Sequence, residues 1–199
     1  MKRVIYGLVL VGGKSLRMGK DKALISYNDS HTQLESTTSL LKSVCEKVFV
    51  SQRKVQNFDT PDNTTCIYDS VKEVNGPLCG ILSAMRSQPE AHWLIIACDL
   101  PNLETKVLKK LISEFEAELP ELTAYRSSQD GLPEPLCAIY PAGIADKILN
   151  LSQELGSSCP RKILIAMKAK LVEQDNLESL NNINTSEEYR DTIKSKQYT

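Results

Sequence analysis

Leu8-Val9-Leu10-Val11-Gly12-Gly13-Lys14-Ser15-Leu16-Arg17-Met18-Gly19-Lys20-Asp21-Lys22-Ala23-Leu24 is the stretch whose reading decides the fold. An apolar run from Val4 to Val11 ends in two glycines, and a basic loop with Lys14, Arg17, Lys20 and Lys22 follows. Glycine lacks the Cβ that would hold a ligand away from the backbone. Backbone amides in such a turn, flanked by cations, form a cradle for phosphate. A strand that ends in a loop of this kind predicts an α/β domain with a nucleotide site at the strand's carboxyl end.

The remainder of the chain carries the same architecture forward. Strand-like apolar runs occur at 3–11, 47–51, 66–68, 93–98, 121–125 and 136–140, with a weaker one at 171–173. Helical patterns over 31–45, 78–88, 104–117, 141–154 and 160–169 separate them. This alternation predicts a single three-layer α/β/α domain over 1–199 whose sheet is mostly parallel. One antiparallel strand is expected at 136–140, because the turn-rich segment 126–135 precedes it and no helix intervenes. In the helix at 104–117, Asn102 is a possible cap and Glu104 falls in the first turn. Val107, Leu108, Leu111, Ile112 and Phe115 form an amphipathic stripe that belongs to the core. The charged tail from Arg190 to Thr199 is expected to fray.

Composition bounds the function. With 199 residues, 41% hydrophobic and 25% charged, the chain has the profile of one soluble globular domain. A net charge of −1 gives no nucleic-acid footprint, so the local basic cluster at 14–22 points to a small anionic ligand. The apolar stretch after Met1-Lys2-Arg3 is too short for a secretory signal, and no run reaches transmembrane length. The six cysteines (Cys45, Cys66, Cys79, Cys98, Cys137, Cys159) form no Cys-x-x-Cys pair and read as buried free thiols in a reducing cytoplasm. His31, near a helix start, and His92, before a strand, are expected at the surface and are too few for a histidine-based metal site.

The loop fits neither common phosphate motif. Five residues separate Gly13 from Gly19, and Asp21 follows Lys20 where a P-loop has a hydroxyl. The Gly-x-Gly-x-x-Gly dinucleotide pattern is also absent. Candidate partners lie at the ends of other strands, since ligands of open α/β sheets sit beyond the strands' carboxyl ends. Asp69 follows the run 66–68, and Asp99 follows 93–98 within Cys98-Asp99-Leu100-Pro101. Mg²⁺ takes hard oxygen donors and commonly one or two carboxylates plus substrate phosphates. Asp99 is therefore a candidate metal ligand, and equally a turn former ahead of Pro101.

The pattern Leu10-x-Gly12-Gly13-x-Ser15-x-Arg17-Met18-Gly19-x-Asp21-Lys22 resembles the signature of nucleotidyltransferases, and most closely that of the molybdenum cofactor guanylyltransferases. The resemblance covers nearly the whole chain. Asp99-Leu100-Pro101 matches the family's metal motif. Asp69 with Gly76-Pro77-Leu78-Cys79-Gly80 matches its base-side loop and helix start. Pro135-Leu136-Cys137-Ala138-Ile139-Tyr140 is similar to its strand beside the second substrate, and Asn182-Ile183-Asn184-Thr185-Ser186-Glu187-Glu188 to its closing segment. In that closing segment, Thr185 and Glu188 have the spacing of a capping box.

The resemblance implies a nucleotide-diphospho-sugar transferase fold and Mg²⁺-dependent transfer of GMP from GTP to the phosphate of molybdenum-bearing molybdopterin. It implies cytoplasmic action and contacts with other proteins of molybdenum cofactor synthesis. It assigns Arg17, Lys22 and Asp99 to catalysis, Asp99 to the metal, and Leu10, Val11, Gly12, Gly13, Lys22, Asp69, Gly76 and Asp99 to the nucleotide. Acceptor binding falls to Glu134, Pro135, Arg161, Lys162, Asn182 and Asn184. Other nucleotides or acceptors remain open, namely cytidylyl transfer to the same cofactor or transfer to a sugar phosphate, as does a non-catalytic nucleotide-binding role. Gly12-Gly13, where cytidylyl relatives often carry Ala-Gly, leans toward guanine. Three positions depart from the family pattern: Val11 replaces alanine, Ser51-Gln52-Arg53 stands where an asparagine touches the nucleotide, and Glu134 replaces histidine or glutamine.

Overall fold

The computed structural model describes residues 3–11, 26–28, 31–53, 59–117 and 121–181. Gly12, Gly13, Lys14, Arg17, Lys20, Lys22, Asn182, Asn184, Thr185, Glu188 and the tail from Arg190 lie outside the described residues.

A seven-stranded sheet forms the middle layer. Its strands are β1 (Ile5–Leu10), β4 (Lys47–Gln52), β5 (Thr65–Tyr68), β6 (His92–Ala97), β7 (Thr123–Arg126), β8 (Pro133–Tyr140) and β9 (Lys170–Val172). They lie in the order β5-β4-β1-β6-β8-β7-β9. Pairings β1–β4, β1–β6, β4–β5 and β7–β9 are parallel, while β8 is antiparallel to both β6 and β7. The expected single antiparallel strand is thus present and begins earlier, at Pro133.

Helices cover both faces. On one side lie α2 (Pro77–Ser87), α4 (Ala145–Glu154) and α5 (Pro160–Ala166); on the other lie α1 (Gln33–Lys42) and α3 (Thr105–Glu116). A strand between two helical layers must be apolar on both sides. Accordingly every residue of β1 is buried. Tyr6, Leu8 and Leu10 join the core beneath α2, whereas Ile5 and Val9 join the core beneath α1 and α3. Tyr6, Phe49 and Trp93 form a packed aromatic group across β4, β1 and β6, with ring centroids 5.2–5.8 Å apart.

Several local expectations change. Helix α1 starts at Gln33, because Thr32 is its N-cap and closes a capping box with Glu35. His31 lies in β3 (His31–Thr32), which pairs with β2 (Ser26–Asn28) as a small hairpin. Asn102 does not cap α3; Glu104 holds the N-cap position, outside the helix, with no side-chain capping bond. Helix α4 starts at Ala145 rather than 141, since Gly143 turns the chain with φ of +76° and its N–H donates to the Pro89 carbonyl at 3.1 Å. His92 is half-buried: its Nδ1 accepts from the Ala142 N–H at 3.0 Å, and burial, then Arg3, holds its pKa below the usual histidine value. All six cysteines are free, but only Cys79, Cys98 and Cys137 are buried, and Cys159 is exposed.

Candidate active site

The carboxyl ends of β1, β4, β5 and β6 share one edge of the sheet, and the start of β8 reaches the same edge because that strand runs in reverse. Backbone pairing continues one step beyond the strands. The Cys98 N–H donates to the Leu10 carbonyl at 3.1 Å, and the Asp69 N–H donates to the Gln52 carbonyl at 3.0 Å. Asp69 is thereby fixed by its own backbone, and Asp99 by the residue before it. The Leu10 and Val11 side chains lie in the core, so the end of β1 is fixed at this edge.

Asp69 is half-buried. Burial pushes its carboxyl up, and two neighbours oppose this: the Ser51 hydroxyl, which donates to Oδ1 at 3.2 Å, and the Arg53 charge. The sequence marks Ser51 only as a departure from the family's asparagine. The parallel register Ser51↔Ile67 places it one step from the end of β5, beside Asp69. Space for Ser51 depends on Gly80 of α2, where an added Cβ would stand 2.3 Å from Ser51 Oγ and 3.1 Å from Leu10 Cδ2. Gly76 answers a different need. It is the N-cap of α2 at φ of +63°, with open space where a Cβ would be, so conformation rather than crowding favours glycine.

At the start of β8, Glu134 pairs with Tyr125 across β7 and β8. Arg161 donates from Nη1 to Asp130 at 2.8 Å and from Nη2 to Glu134 at 3.2 Å. Glu134 and Arg161, expected around one acceptor, are thus in contact, and the ion pairs supply a structural reason for a cation at this position. Lys162 is exposed on α5. Burial raises the Glu134 pKa, and Arg161 opposes that rise. The Asp130 and Asp99 charges add smaller upward effects on Glu134.

Among the described residues no group of three or more His, Cys, Asp or Glu side chains could hold a metal ion. A half-exposed carboxylate at a sheet edge, to be completed by substrate oxygens, suits Mg²⁺ and would be a poor site for zinc. The residues present therefore fit the implied cation through Asp99.

Residues 7–171 match the family described as the MobA-like NTP transferase domain. The molybdenum cofactor biosynthesis bifunctional protein of Synechocystis sp. is 43% identical over 187 residues, covering 93% of this chain and 52% of that protein. The chain thus spans about half of that relative. A Bacillus cytotoxicus protein, named as a probable molybdenum cofactor guanylyltransferase, is 31% identical over 97% of this chain and 98% of its own length. Among solved structures, molybdopterin-guanine dinucleotide biosynthesis protein A from Archaeoglobus fulgidus superposes with a TM-score of 0.74 at 20% identity, covering 98% of this chain and all of that one. The Francisella tularensis 2-C-methyl-D-erythritol 4-phosphate cytidylyltransferase gives a TM-score of 0.70 at 10% identity, covering 98% and 99%, a likeness of fold.

Proposed function

The chain belongs to the MobA-like NTP transferase family, a family of nucleotidyltransferases, and on that premise we propose that it transfers GMP from GTP to the terminal phosphate of molybdenum-bearing molybdopterin. The observation that carries this reading is the convergence of Asp69, Asp99 and the end of β1 on one sheet edge. The relatives named for molybdenum cofactor guanylyl transfer support the choice of nucleotide and acceptor.

In the proposed reaction an acceptor phosphate oxygen attacks the α-phosphorus of GTP. A new P–O bond forms, the bond from the α-phosphorus to the bridging oxygen breaks, and pyrophosphate leaves with that electron pair. The attacking oxygen is already anionic, so no protein group needs to remove a proton. The protein's contribution is positioning and charge stabilisation. Asp99 would hold Mg²⁺, which when bound would supply positive charge to offset the repulsion between two anionic phosphates. Lys22 serves the triphosphate as a point charge, and Arg17 grips the leaving pyrophosphate with its planar fork. The Gly12 and Gly13 amides complete the cradle. Asp69, held by Ser51, accepts a hydrogen bond from the nucleoside.

No helix among the described residues is long and apolar enough to cross a membrane. We place the activity in the cytoplasm, with contacts to other proteins of cofactor synthesis. The test is pyrophosphate release with each of the four nucleoside triphosphates, with and without molybdopterin. Release with GTP that requires molybdopterin is expected; equal release with CTP, or release without acceptor, rejects the reading.

A further inference from the structure

A second cavity opens at the same end of the sheet, on its α3 side. It measures about 300 Å³ and is lined by Lys106, Val107, Tyr125, Gln174, Asp175 and Ser179 among others. Its position follows from the topology. Helix α3 comes directly after the Asp99 turn, so its first turn, with Val107, stands at the carboxyl edge. Tyr125 pairs with Glu134 on one side and Val172 on the other, which sets the cavity beside the acceptor-facing start of β8.

The walls are set for hydrogen bonding but leave two buried oxygens unsatisfied. Ser179 is 1% exposed, and its Oγ has no hydrogen-bond partner. Gln174 Oε1 is buried and likewise unpartnered. The amide cannot be turned over to relieve this, because its Nε2 donates to the Arg126 carbonyl at 2.6 Å. Rotation would set oxygen against oxygen. Asp175 is anchored by Lys110 at 2.5 Å, and the Tyr125 hydroxyl donates to the Val107 carbonyl at 2.7 Å. These neighbours are already engaged with each other and hold the walls in place.

Buried polar atoms without partners cost free energy, and native proteins keep few of them without a reason. The volume is at the lower limit of small-ligand pockets and many times the roughly 30 Å³ share of one water. An amide oxygen can only accept, so its occupant must donate. Val107 and the Tyr125 ring add apolar wall, which suits a flat ring.

We propose that this cavity is the subsite for the nitrogen-heterocycle end of the acceptor, with Gln174 Oε1 and Ser179 Oγ receiving the N–H groups of an amino-lactam ring edge. This rests on the guanylyl-transfer reading above, because the pterin portion of molybdopterin carries such an edge. It separates the two ends of the acceptor: the ring is read at β7 and β9, while the phosphate faces the edge at Asp99.

The test uses the full chain, with pterin (2-amino-4-oxopteridine) as the probe and its fluorescence as the readout. Wild type is expected to bind pterin whether or not GTP is present. Ser179→Ala and Gln174→Leu should each weaken pterin binding about tenfold, the size of one lost buried hydrogen bond, and leave GTP affinity unchanged. Ser179→Ala also removes an unsatisfied buried hydroxyl, so its Tm without ligand should equal or exceed that of wild type. A cavity built only to hold water would give the opposite pattern, with Tm lowered and pterin affinity unaffected. The proposal is overturned by that pattern, by absence of pterin binding to wild type, or by displacement of pterin by GTP. GTP binding, measured on the same samples, reports separately on the parent reading.

Discussion

The two halves of the sheet are built by different means. In β5-β4-β1-β6 all neighbours are parallel, the central strands are buried on both faces, and apolar packing does the holding. In β8-β7-β9 one strand is reversed, its register with β7 jumps between Ala124 and Tyr125, and ion pairs tie the pieces together. Arg126 meets Glu173 at 2.6 Å, Lys170 meets Glu114 at 3.2 Å, and Arg161 bridges Asp130 and Glu134. Several of these charges are well exposed, and exposed pairs contribute about 0–1 kcal/mol each. Both halves share the apolar core, in which Cys137, Ala138, Ile139 and Tyr140 of β8 are fully buried, and the half with β8 adds weak, separately replaceable tethers at its rim. Such tethers let the rim of that half vary while the shared core keeps its geometry.

The sharpest way to break this comparison is Asp99→Ala. Turnover should fall by three decades or more, about 4 kcal/mol of barrier, with circular dichroism unchanged. Near-wild-type turnover would remove Asp99 from the chemistry. Next in size is Lys22→Ala, expected to cost about two to three decades in rate, the range seen for one preorganised charge-stabilising donor. Arg17→Lys should lose part of that, and full activity would sink the two-point grip on pyrophosphate.

Stability should divide along the same line. Leu94 lies in central β6 and is fully buried, so Leu94→Ala should cost at least about 2 kcal/mol by urea titration. Arg126→Ala, which removes an exposed tether, should cost less than about 1 kcal/mol, and less still in high salt. Equal losses would erase the distinction between core packing and exposed tethers.

The smallest expected effect is one of pH. His92 accepts a hydrogen bond from the Ala142 N–H through Nδ1, so protonation there must break it. Its pKa in the folded protein is depressed, so the unfolded chain binds the proton more readily. The stabilisation is complete above the ordinary histidine value near 6.5 and is lost as the pH falls below it toward the depressed value. Thermal scans between pH 7.5 and 5 should show a drop in Tm that His92→Gln lessens. An identical drop in the variant would assign the acid sensitivity elsewhere.

Much of this was legible in the residues. Strong apolar runs located β1, β4, β6 and the reversed β8, and aspartates directly after strands marked the candidate site, because burial on two faces leaves a signal that polar surroundings do not blur. The difficulties have local causes. Pro133 and Pro135 read as turn residues, yet β8 includes them. Pro135 falls in the stretch where pairing with β7 is interrupted, so its missing N–H costs nothing in that ladder. Helix α5 stops at Ala166 rather than 169, where Lys168 takes a φ of +54°, a helix-ending conformation with no glycine to announce it. The β2–β3 hairpin is too short for any period to show. The sequence flags Ser51 only as a departure and gives no signal for Gln174, because what makes each a candidate is its contact with one neighbour, a relation that sequence spacing does not encode.

Strand β1 holds the centre of the parallel half, flanked by β4 on one side and β6 on the other. On a ribosome it is the first of the sheet strands to be made, and its second neighbour is complete only at Ala97, close to the midpoint of the 199 residues. A fully buried strand must therefore wait, unpaired on one edge, until β6 has been made. Nascent chains in which β6 has not emerged from the ribosome are expected to depend on chaperones, whereas chains in which β6 has emerged can pair both edges of β1.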